Sequence, residues 1–452
     1  MLIIHANAYC EGAFCPDTDV RVEHGEVVEV GRLTAHSGEE VVDAAGQYLL
    51  PGFVDVHIHA FRGHDTMEGE AAVRHMSREL AQIGVAAFMP TTMSASVEDT
   101  RLAVAGVRAV MENPEPNGSR VLGAHMEAPF LAESKCGAQL KEYFTDPSMD
   151  KLETMADGHV EAVRMMTMAP ERAGAETFIR QATARGVTVS IGHTAATCEQ
   201  THQAAEWGAT HVTHTFNAQP PLHHREPGVP GAALTDDRLY TEMICDGIHL
   251  HPDIIRLIVR AKGADKAVMI TDAMEAAGMP EGKYALGGQD VYVKDGAARL
   301  ASGVLAGSIL TMPVALHNMI HRFGIAPEQA VRMCTLTPAE SVGEQLAGRI
   351  IPGSPAPLPA LRLSPALRLP PPGQGRASQK QALRQAETQR NDELSWKRAS
   401  FCIPCNKTSI CQFTGAVKAR KSRAEMFYNH GLRGLRQRQT SLRVQGLLAI
   451  IR

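Results

Sequence analysis

The stretch PGFVDVHIH, residues 51–59, decides the fold of this chain, because a short apolar run ends in two histidines one residue apart. Side chains alternate faces along a β-strand, so His57 and His59 are expected to point the same way. Two imidazoles on one side of a strand end provide half of a metal site. An isolated His-x-His pair is more often two hydrogen-bonded histidines beside a turn. Later strand ends favour the metal interpretation.

From residue 53 onward, the pattern alternates between apolar strand candidates and helical stretches. The strand candidates are 53–57, 85–91, 121–127, 161–167, 187–193, 210–215, 240–245 and 267–272. The helical stretches between them are 68–83, 96–111, 173–185, 197–207 and 252–262. Eight strand–helix steps predict an α/β fold, a (β/α)8 TIM-like barrel. An open doubly wound sheet is the alternative.

Polar residues at the carboxyl ends of these strands favour the barrel. The candidates that end strands or lie just beyond them are His57, His59, Glu127, His193, His214, His249 and Asp272. A barrel brings all of these ends to one face, where barrel enzymes place their chemistry. An open sheet would spread them along an edge. The same residues therefore predict the barrel and a site on it.

The rest of the chain divides into segments of different composition. Residues 1–50 predict a small β-sandwich layer of antiparallel strands, and residues 51–345 the barrel, with a hairpin at 284–300. Helices are predicted at 308–323 and 327–334, and a last helix with Thr337 as N-cap and Pro338 at its first position. Residues 346–356 begin a return to the β layer, whose C-terminal strands are missing from the pattern. Residues 357–452 form a Pro- and Arg-rich tail that we predict to be disordered.

Composition favours a soluble, cytoplasmic protein of 452 residues, 44% hydrophobic and 21% charged. No apolar run reaches the ~20 residues that a membrane helix needs, and the N-terminus lacks the form of a signal peptide. The nine cysteines follow no disulfide framework. The net charge of −4 is the sum of an acidic N-terminal part and a basic C-terminal part. Residues 357–452 hold 18 Lys+Arg and 4 Asp+Glu, whereas residues 1–356 hold 27 and 45.

The basic tail is the one reason to consider nucleic acid or a membrane as a partner. Its Cys402-x-x-Cys405 pair has no second pair at zinc-site spacing. We expect neither partner, and interpret the tail as a frame-shifted or foreign end.

Four histidines and one glutamate fit one or two divalent ions, with zinc or iron the expected metals. Such an ion lowers the pKa of bound water to about 7 and so supplies hydroxide at neutral pH. Asp272 is the expected general acid/base, which takes the proton of the attacking water and returns it to the leaving group. A helix cap before Ala273 is the structural alternative for this aspartate.

Two further stretches suit a polar ligand. The loop at 217–228, NAQPPLHHREPG, is polar and proline-stiffened, and Arg225 offers a planar fork for phosphate or carboxylate. An ordinary surface turn explains its composition equally well. Leu305-Ala306-Gly307-Ser308 places glycine before a predicted helix, with backbone N–H groups free for an anion or hydroxyl.

Together the motifs resemble the N-acetylglucosamine-6-phosphate deacetylase family of the amidohydrolase superfamily. The matching strings are PGFVDVHIHA, HMEAPFL, IGHTAAT, THTFNAQPPLHHREPG, CDGIHLHP, ITDAM and LAGSILTM, in the family's order. The resemblance implies removal of acetate from N-acetyl-D-glucosamine 6-phosphate, which yields D-glucosamine 6-phosphate. It also implies a homodimer whose second subunit helps to bind the phosphate.

The resemblance assigns roles to individual residues. Glu127, His193 and His214 bind the main metal, His57 and His59 complete a second site, and Asp272 is the general acid/base. The positions that match substrate-contacting residues are Ala138, Gln139, Asn217, Ala218, Arg225, His249, Leu305, Ala306, Gly307 and Ser308, with Arg225 directed at the phosphate.

The sequence departs from the family pattern in places. Ala128 replaces a glycine, which would strain a backbone of positive φ, and Gln139 replaces a histidine thought to polarise the substrate carbonyl. We expect a second metal on His57 and His59 to take over that role. The alternatives are a deacetylase for another N-acetyl sugar phosphate, such as the galactosamine epimer, and an inactive, poorly folded remnant with a basic binding tail.

Overall fold

The computed structural model of the chain describes residues 1–356. The predictions on residues 357–452, including the aberrant end, the disorder and the missing strands, lie outside the described residues.

The first residues form a five-stranded mixed sheet. Its strands are β1 Leu2–Cys10, β2 Ala13–Glu23, β3 Glu26–Gly31, β4 Val41–Asp43 and β5 Tyr48–Leu49. β1, β2 and β3 pair antiparallel, but β4 and β5 pair parallel to β1. The expectation of antiparallel strands is confirmed for β1 to β3 and wrong for β4 and β5, because the chain crosses over after β3 and returns beside β1 in the same direction.

The last described residues rejoin this sheet at the edge of β3. The N–H groups of Gly353 and Ala356 donate to the carbonyls of Val27 and Gly25, and the N–H of Val27 donates to Ser354. Ile350 and Ala356 belong to the apolar core of the layer.

The barrel follows from β6 onward. Its strands are β6 Phe53–Ile58, β9 Val85–Thr92, β10 Arg120–Val121, β11 Ala124–Met126, β12 Val163–Met168, β13 Thr188–Ile191, β14 His211–Val212, β15 Tyr240–Ile244 and β16 Ala267–Ile270, with a small hairpin of β7 Ala60–Phe61 and β8 His64–Asp65 after β6. All barrel strands pair parallel, and Ile58 pairs with Ala273 between the first and last strands. The predicted (β/α)8 fold is confirmed, and the open sheet is excluded.

The third predicted strand, 121–127, is divided into β10 and β11. Gly123 lies between them with a φ of 137°, and a Cβ there would come within 2.7 Å of the Arg164 side chain. Only glycine allows both that backbone conformation and this close approach of the next strand.

The helices cover the outside of the barrel with their apolar sides. They are α1 Glu70–Ala81, α2 Val97–Glu112, α3 Met149–Met155, α4 Ala175–Ala184, α5 Cys198–Trp207, α6 Gly228–Thr235, α7 Pro252–Lys262, α8 Met312–His317, α9 Pro327–Cys334 and α10 Leu336–Ser341. α7 is typical: Pro252 occupies its first turn, the His251 side chain caps it, and Ile255, Ile258 and Val259 are buried. Among residues 1–356, none of these helices combines the length and hydrophobicity needed to cross a bilayer.

Three predictions near the end of the barrel need correction. The 284–300 hairpin is a three-stranded sheet of β17 Gly282–Leu286, β18 Gln289–Lys294 and β19 Ala297–Leu300, although the turn at Asp295-Gly296 is as predicted. The helix expected at 308–323 begins at Met312, because the Ser308 N–H and hydroxyl bond to the backbone of 271–272, and a π-helix continues it from Asn318 to Arg322. The last helix begins at Leu336, so Thr337 is inside it, and its hydroxyl donates to Ala264 O at 2.6 Å.

Candidate metal centre

The carboxyl ends of the barrel strands present the polar residues of the site. Glu127 directly follows β11, whereas His193, His214 and Asp272 each come two residues after a strand. These last three have positive φ angles of 45°, 29° and 49°. A non-glycine residue in this region costs about 1–3 kcal/mol, and such strain concentrates at functional sites. The sharp turns after the strands direct these side chains toward a common centre.

The first group of side chains is Glu127, His193 and His214, all buried. Glu127 Oε1 lies 3.0 Å from His214 Nε2 and 3.3 Å from His193 Nε2. The two imidazole nitrogens are 3.1 Å apart. Their ligand atoms all lie within 4.8 Å of one another, as metal ligands do.

The second group, His57, His59 and Asp272, is equally buried, and both of its histidines contact Glu127 of the first group. Asp272 Oδ1 lies 3.2 Å from His59 Nε2 and 3.5 Å from His57 Nε2. Glu127 Oε2 lies 3.2 Å from His59 Nε2, and its Oε1 lies 3.5 Å from His57 Nε2. Glu127 therefore stands between two sets of donors.

Hydrogen bonds on the far side of the rings determine which nitrogen faces the centre. His193 Nδ1 donates to Lys135 O at 2.7 Å, and His59 Nδ1 donates to Thr91 O at 3.2 Å. The Nε2 atoms therefore point at the carboxylates, and buried His57 Nε2 finds no hydrogen-bond partner among residues 1–356. A neutral imidazole would place its lone pair against a carboxylate oxygen, so each contact requires a proton or a cation. The two groups fit divalent metal ions by geometry and by donor type.

The buried imidazoles and carboxylates of the centre shift each other's pKa values toward the charged forms. Burial alone would lower the pKa of His59, yet hydrogen bonds to Asp272 and Glu127 raise it to about 9. The pKa of His57 is also raised well above its usual value, against burial, by Glu127 and Asp272. Burial would raise the pKa of Glu127, but the neighbouring imidazoles hold it well below its usual range. Without a metal, protons thus occupy the Nε2 positions that a cation would take.

Metal binding is therefore expected to release protons from the metal-free chain near neutral pH. His59, with a pKa of about 9, still holds its proton there, and so does His57. A cation at Nε2 displaces those protons. Above about pH 9 His59 is largely deprotonated already, so its share of the release should fall. Base uptake in a pH-stat during Zn²⁺ addition measures it, and a release that stays constant across this range would contradict the assignment.

A cavity of about 360 Å³ opens above the two groups. Most predicted site residues line it: His59, Glu127, Ala138, Gln139, His193, His214, Asn217, Ala218, His249, Asp272, Leu305 and Gly307. His57 lies buried behind the lining, and Ala306 and Ser308 are also buried. Arg225 is exposed, beside His224 Nε2 at 2.8 Å, and does not line the cavity.

Two lining residues are held in fixed orientations. Gln139 Nε2 donates to Glu127 Oε2 at 2.8 Å, while its Oε1 accepts from the Ser94 N–H at 2.7 Å. His249 Nδ1 donates to Asp246 Oδ2 at 2.7 Å. Burial would raise the pKa of Asp246, but the bond to His249 lowers it below its usual value. Both polar atoms of Gln139 thus have protein partners, whereas His249 Nε2, which bonds to none of the described residues, is oriented for a ligand.

The expectation of free backbone N–H groups at 305–308 was wrong in part. Ala306 N donates to Ala298 O and Ser308 N donates to Asp272 O. These bonds tie the segment to β19 and to the end of β16.

Sequence reasoning missed two polar residues of the centre. Lys135 lines the cavity mouth, where its Nζ donates to Gln219 O at 3.2 Å. Glu242 lies fully buried in β15, against His57. A single carboxylate in an otherwise uncharged strand, YTEMI, was the available signal.

Comparison with known proteins places this arrangement in a family. The sequence profile of the amidohydrolase family matches residues 48–387. The chain belongs to the amidohydrolase family. The resemblance inferred from the motifs is thus confirmed. The two buried groups of histidines and carboxylates support a divalent metal in this amidohydrolase.

Several named amidohydrolases are similar to the chain along most of their length. N-acetylglucosamine-6-phosphate deacetylase of Lysinibacillus sphaericus is 35% identical over 338 residues, which cover 74% of this chain and 87% of that protein. The human protein of the same name is 35% identical over 344 residues, 72% of this chain and 82% of that protein. N-acetylgalactosamine-6-phosphate deacetylase of Escherichia coli O157:H7 is 34% identical over 353 residues, 78% and 92%.

Solved structures of similarly named enzymes are similar to this chain over most of their length. N-acetylglucosamine-6-phosphate deacetylase from Pasteurella multocida matches with a TM-score of 0.73 at 28% identity, over 78% of this chain and 93% of that one. A variant of the Mycobacterium smegmatis enzyme in complex with N-acetyl-D-glucosamine-6-phosphate matches with a TM-score of 0.72 at 32% identity, over 79% and 93%.

The alanine that departs from the family motif does sit on a strained backbone. Ala128 has a φ of 150°, a conformation that favours glycine. Ala128→Gly is therefore expected to raise the free energy of unfolding by about 1 kcal/mol. Ala132, with a φ of −84°, is the control, where the same change should destabilise by about 0.5–1 kcal/mol. Urea denaturation measures both, and equal losses would refute the strain.

Proposed function

We propose that this amidohydrolase removes acetate from N-acetyl-D-glucosamine 6-phosphate, leaving D-glucosamine 6-phosphate. The observation that carries the proposal is the position of Asp272. Its carboxylate lies 3.2 Å from His59 Nε2 and lines the cavity next to both metal-ligand groups. Named relatives that act on this sugar phosphate support the substrate class.

The chain would hold its metal with two sets of ligands. Glu127, His193 and His214 form the first, and His57 and His59 with Asp272 form the second. Zinc or iron suits these nitrogen and oxygen donors. When bound, the metal supplies an acidic water near neutral pH and polarises the acetamido carbonyl.

Asp272 performs the proton transfers. The imidazoles beside it outweigh the effect of burial and hold its pKa below the usual value, so it is ionised near neutral pH and ready to accept a proton. It takes the proton of the attacking water at a carboxylate oxygen. The C–N bond of the tetrahedral intermediate then breaks, and Asp272 returns the proton to the amine nitrogen. Acetate and the free amino sugar leave.

The remaining cavity residues would bind the sugar phosphate. Gln139 and His249 present an amide and an imidazole nitrogen to the cavity, and Asn217 lies beside His214, with its Nδ2 donating to His214 O at 3.1 Å. The phosphate end requires cations. Arg225 lies outside the cavity lining, so a closing of its loop or a partner subunit in a homodimer would complete that end. A phosphorylated substrate of this kind suits a cytoplasmic enzyme.

The test is the initial rate of acetate release from N-acetylglucosamine 6-phosphate by the full-length chain. The galactosamine epimer and unphosphorylated N-acetylglucosamine serve as competing substrates, since one relative is named for the epimer. The proposal predicts the largest kcat/KM for N-acetylglucosamine 6-phosphate. A larger kcat/KM for the epimer would reassign the substrate, and no acetate from any of them would refute the activity.

A further inference from the structure

Glu242 is a fully buried carboxylate that the mechanism above does not use. It lies in the middle of β15, Tyr240–Ile244, and points into the barrel interior behind the cavity. Burial of a carboxylate is costly unless hydrogen bonds and opposite charge compensate it. Its contacts therefore indicate what it does.

One oxygen of Glu242 contacts both metal-ligand groups. Oε2 lies 3.2 Å from His57 Nδ1, in the second group, and 3.2 Å from the backbone nitrogen of His214, in the first. The Thr215 N–H donates to the Glu242 carbonyl at 3.0 Å and fixes its backbone. Within the described part of the chain, Oε1 has no hydrogen-bond partner. Glu242 thus joins the ends of β6 and β14 through one carboxylate.

The contact with His57 determines what that ring offers to the centre. A carboxylate only accepts, so His57 Nδ1 must carry the proton and donate it to Glu242. His57 Nε2 then faces Glu127 and Asp272 at 3.5 Å each, and none of the described residues forms a hydrogen bond with it. A carboxylate that holds the far nitrogen in this way is the usual support of a metal-binding histidine.

Three buried carboxylates contact the same imidazole, since Glu127, Asp272 and Glu242 all lie beside His57. His57 is therefore the ring at which Glu242 meets both metal-ligand groups.

We infer that Glu242 is a positioning residue that fixes the Nδ1–H tautomer of His57 and so strengthens the binding of a metal ion at the His57, His59 and Asp272 group. This rests on the metal-ligand roles given under the proposed function. Glu242 acts through His57 and touches no substrate.

The test is a titration of the metal-free, full-length chain with Zn²⁺ by calorimetry, with bound zinc counted by mass spectrometry after gel filtration. The wild type is expected to bind two ions. Glu242→Leu keeps the volume and removes the acceptor, so the affinity for the second ion should fall by about 100-fold. Glu242→Gln keeps an acceptor without the charge, so a loss of about 10-fold is expected.

Asp55→Asn is the matched control. Asp55 is an equally buried carboxylate, which bonds Thr271 and the backbone of His57 but not the ring. The Asp55→Asn variant should bind the second ion with wild-type affinity. Wild-type binding of a single ion, two unchanged ions in both Glu242 variants, or an equal loss in Asp55→Asn would overturn the inference. If Glu242→Leu does not fold, the affinity of Glu242→Gln for the second zinc ion tests the inference alone. The experiment measures bound zinc and not released acetate. If the substrate proposed above is wrong, the predicted zinc binding should therefore still be observed.

Discussion

Asp272→Asn is expected to lower kcat for acetate release by about 10²- to 10⁴-fold, the range for loss of a general acid/base. Asparagine keeps the shape of the side chain but cannot take a proton from water or return one to the amine. Asp272 lines the cavity beside His59, whereas Gln139, Asn217 and His249 are the residues proposed to bind the sugar. KM should therefore change much less than kcat.

Steady-state kinetics with bound metal measured on the same sample tests this prediction. The control is Asp236→Asn, since Asp236 is also buried but is paired with Arg238 and His202 away from the cavity. That variant should lose stability and keep its kcat. If Asp272→Asn keeps its metal and its kcat falls by less than about tenfold, Asp272 is not the general acid/base.

Glu127→Gln is expected to remove most of the bound metal and to bring activity below detection. Glu127 is the residue that both ligand groups share, since its two oxygens face His214 at 3.0 Å and His59 at 3.2 Å. Glutamine has nearly the same volume but no charge, and its amide nitrogen would face imidazole nitrogens. In the metal-free chain, imidazolium rings would also lose their counter-ion, which costs about 3–5 kcal/mol for a broken buried pair.

Metal content by mass spectrometry and thermal unfolding without metal check both parts. Glu115→Gln serves as the control, because Glu115 forms ion pairs with Arg74 and Arg78 outside the site. It should leave the metal content unchanged and lower stability by less than about 1 kcal/mol. Wild-type metal content in Glu127→Gln would show that the carboxylate is not a ligand.

Hydrophobic periodicity was sufficient to predict the barrel and the order of its strands. α7, Pro252–Lys262, was predicted with both ends correct, because Pro252 at its first turn and Gly263 after its end are local signals. The start of α10 was missed because the Thr337 hydroxyl bonds to Ala264, 73 residues away, instead of capping its own helix. Such a choice of partner depends on tertiary contacts that the local sequence does not contain.

The metal centre was predictable for the same reason as the barrel, since its side chains follow strands whose ends must converge. Glu242 was not, because its partner His57 lies 185 residues earlier and nothing local connects them. For Arg225, the sequence indicated a function that its position in the structure does not test. Its chemistry suits phosphate, but the structure leaves it exposed, so its role stays a prediction.

The buried histidines and carboxylates are proposed to make this chain a metal-dependent deacetylase. The most direct test is acetate release from N-acetylglucosamine 6-phosphate before and after removal of metal with a chelator, followed by re-addition of Zn²⁺ or Fe²⁺. Activity should be lost with the metal and recovered with one or both ions. Full activity in the metal-free chain would contradict it.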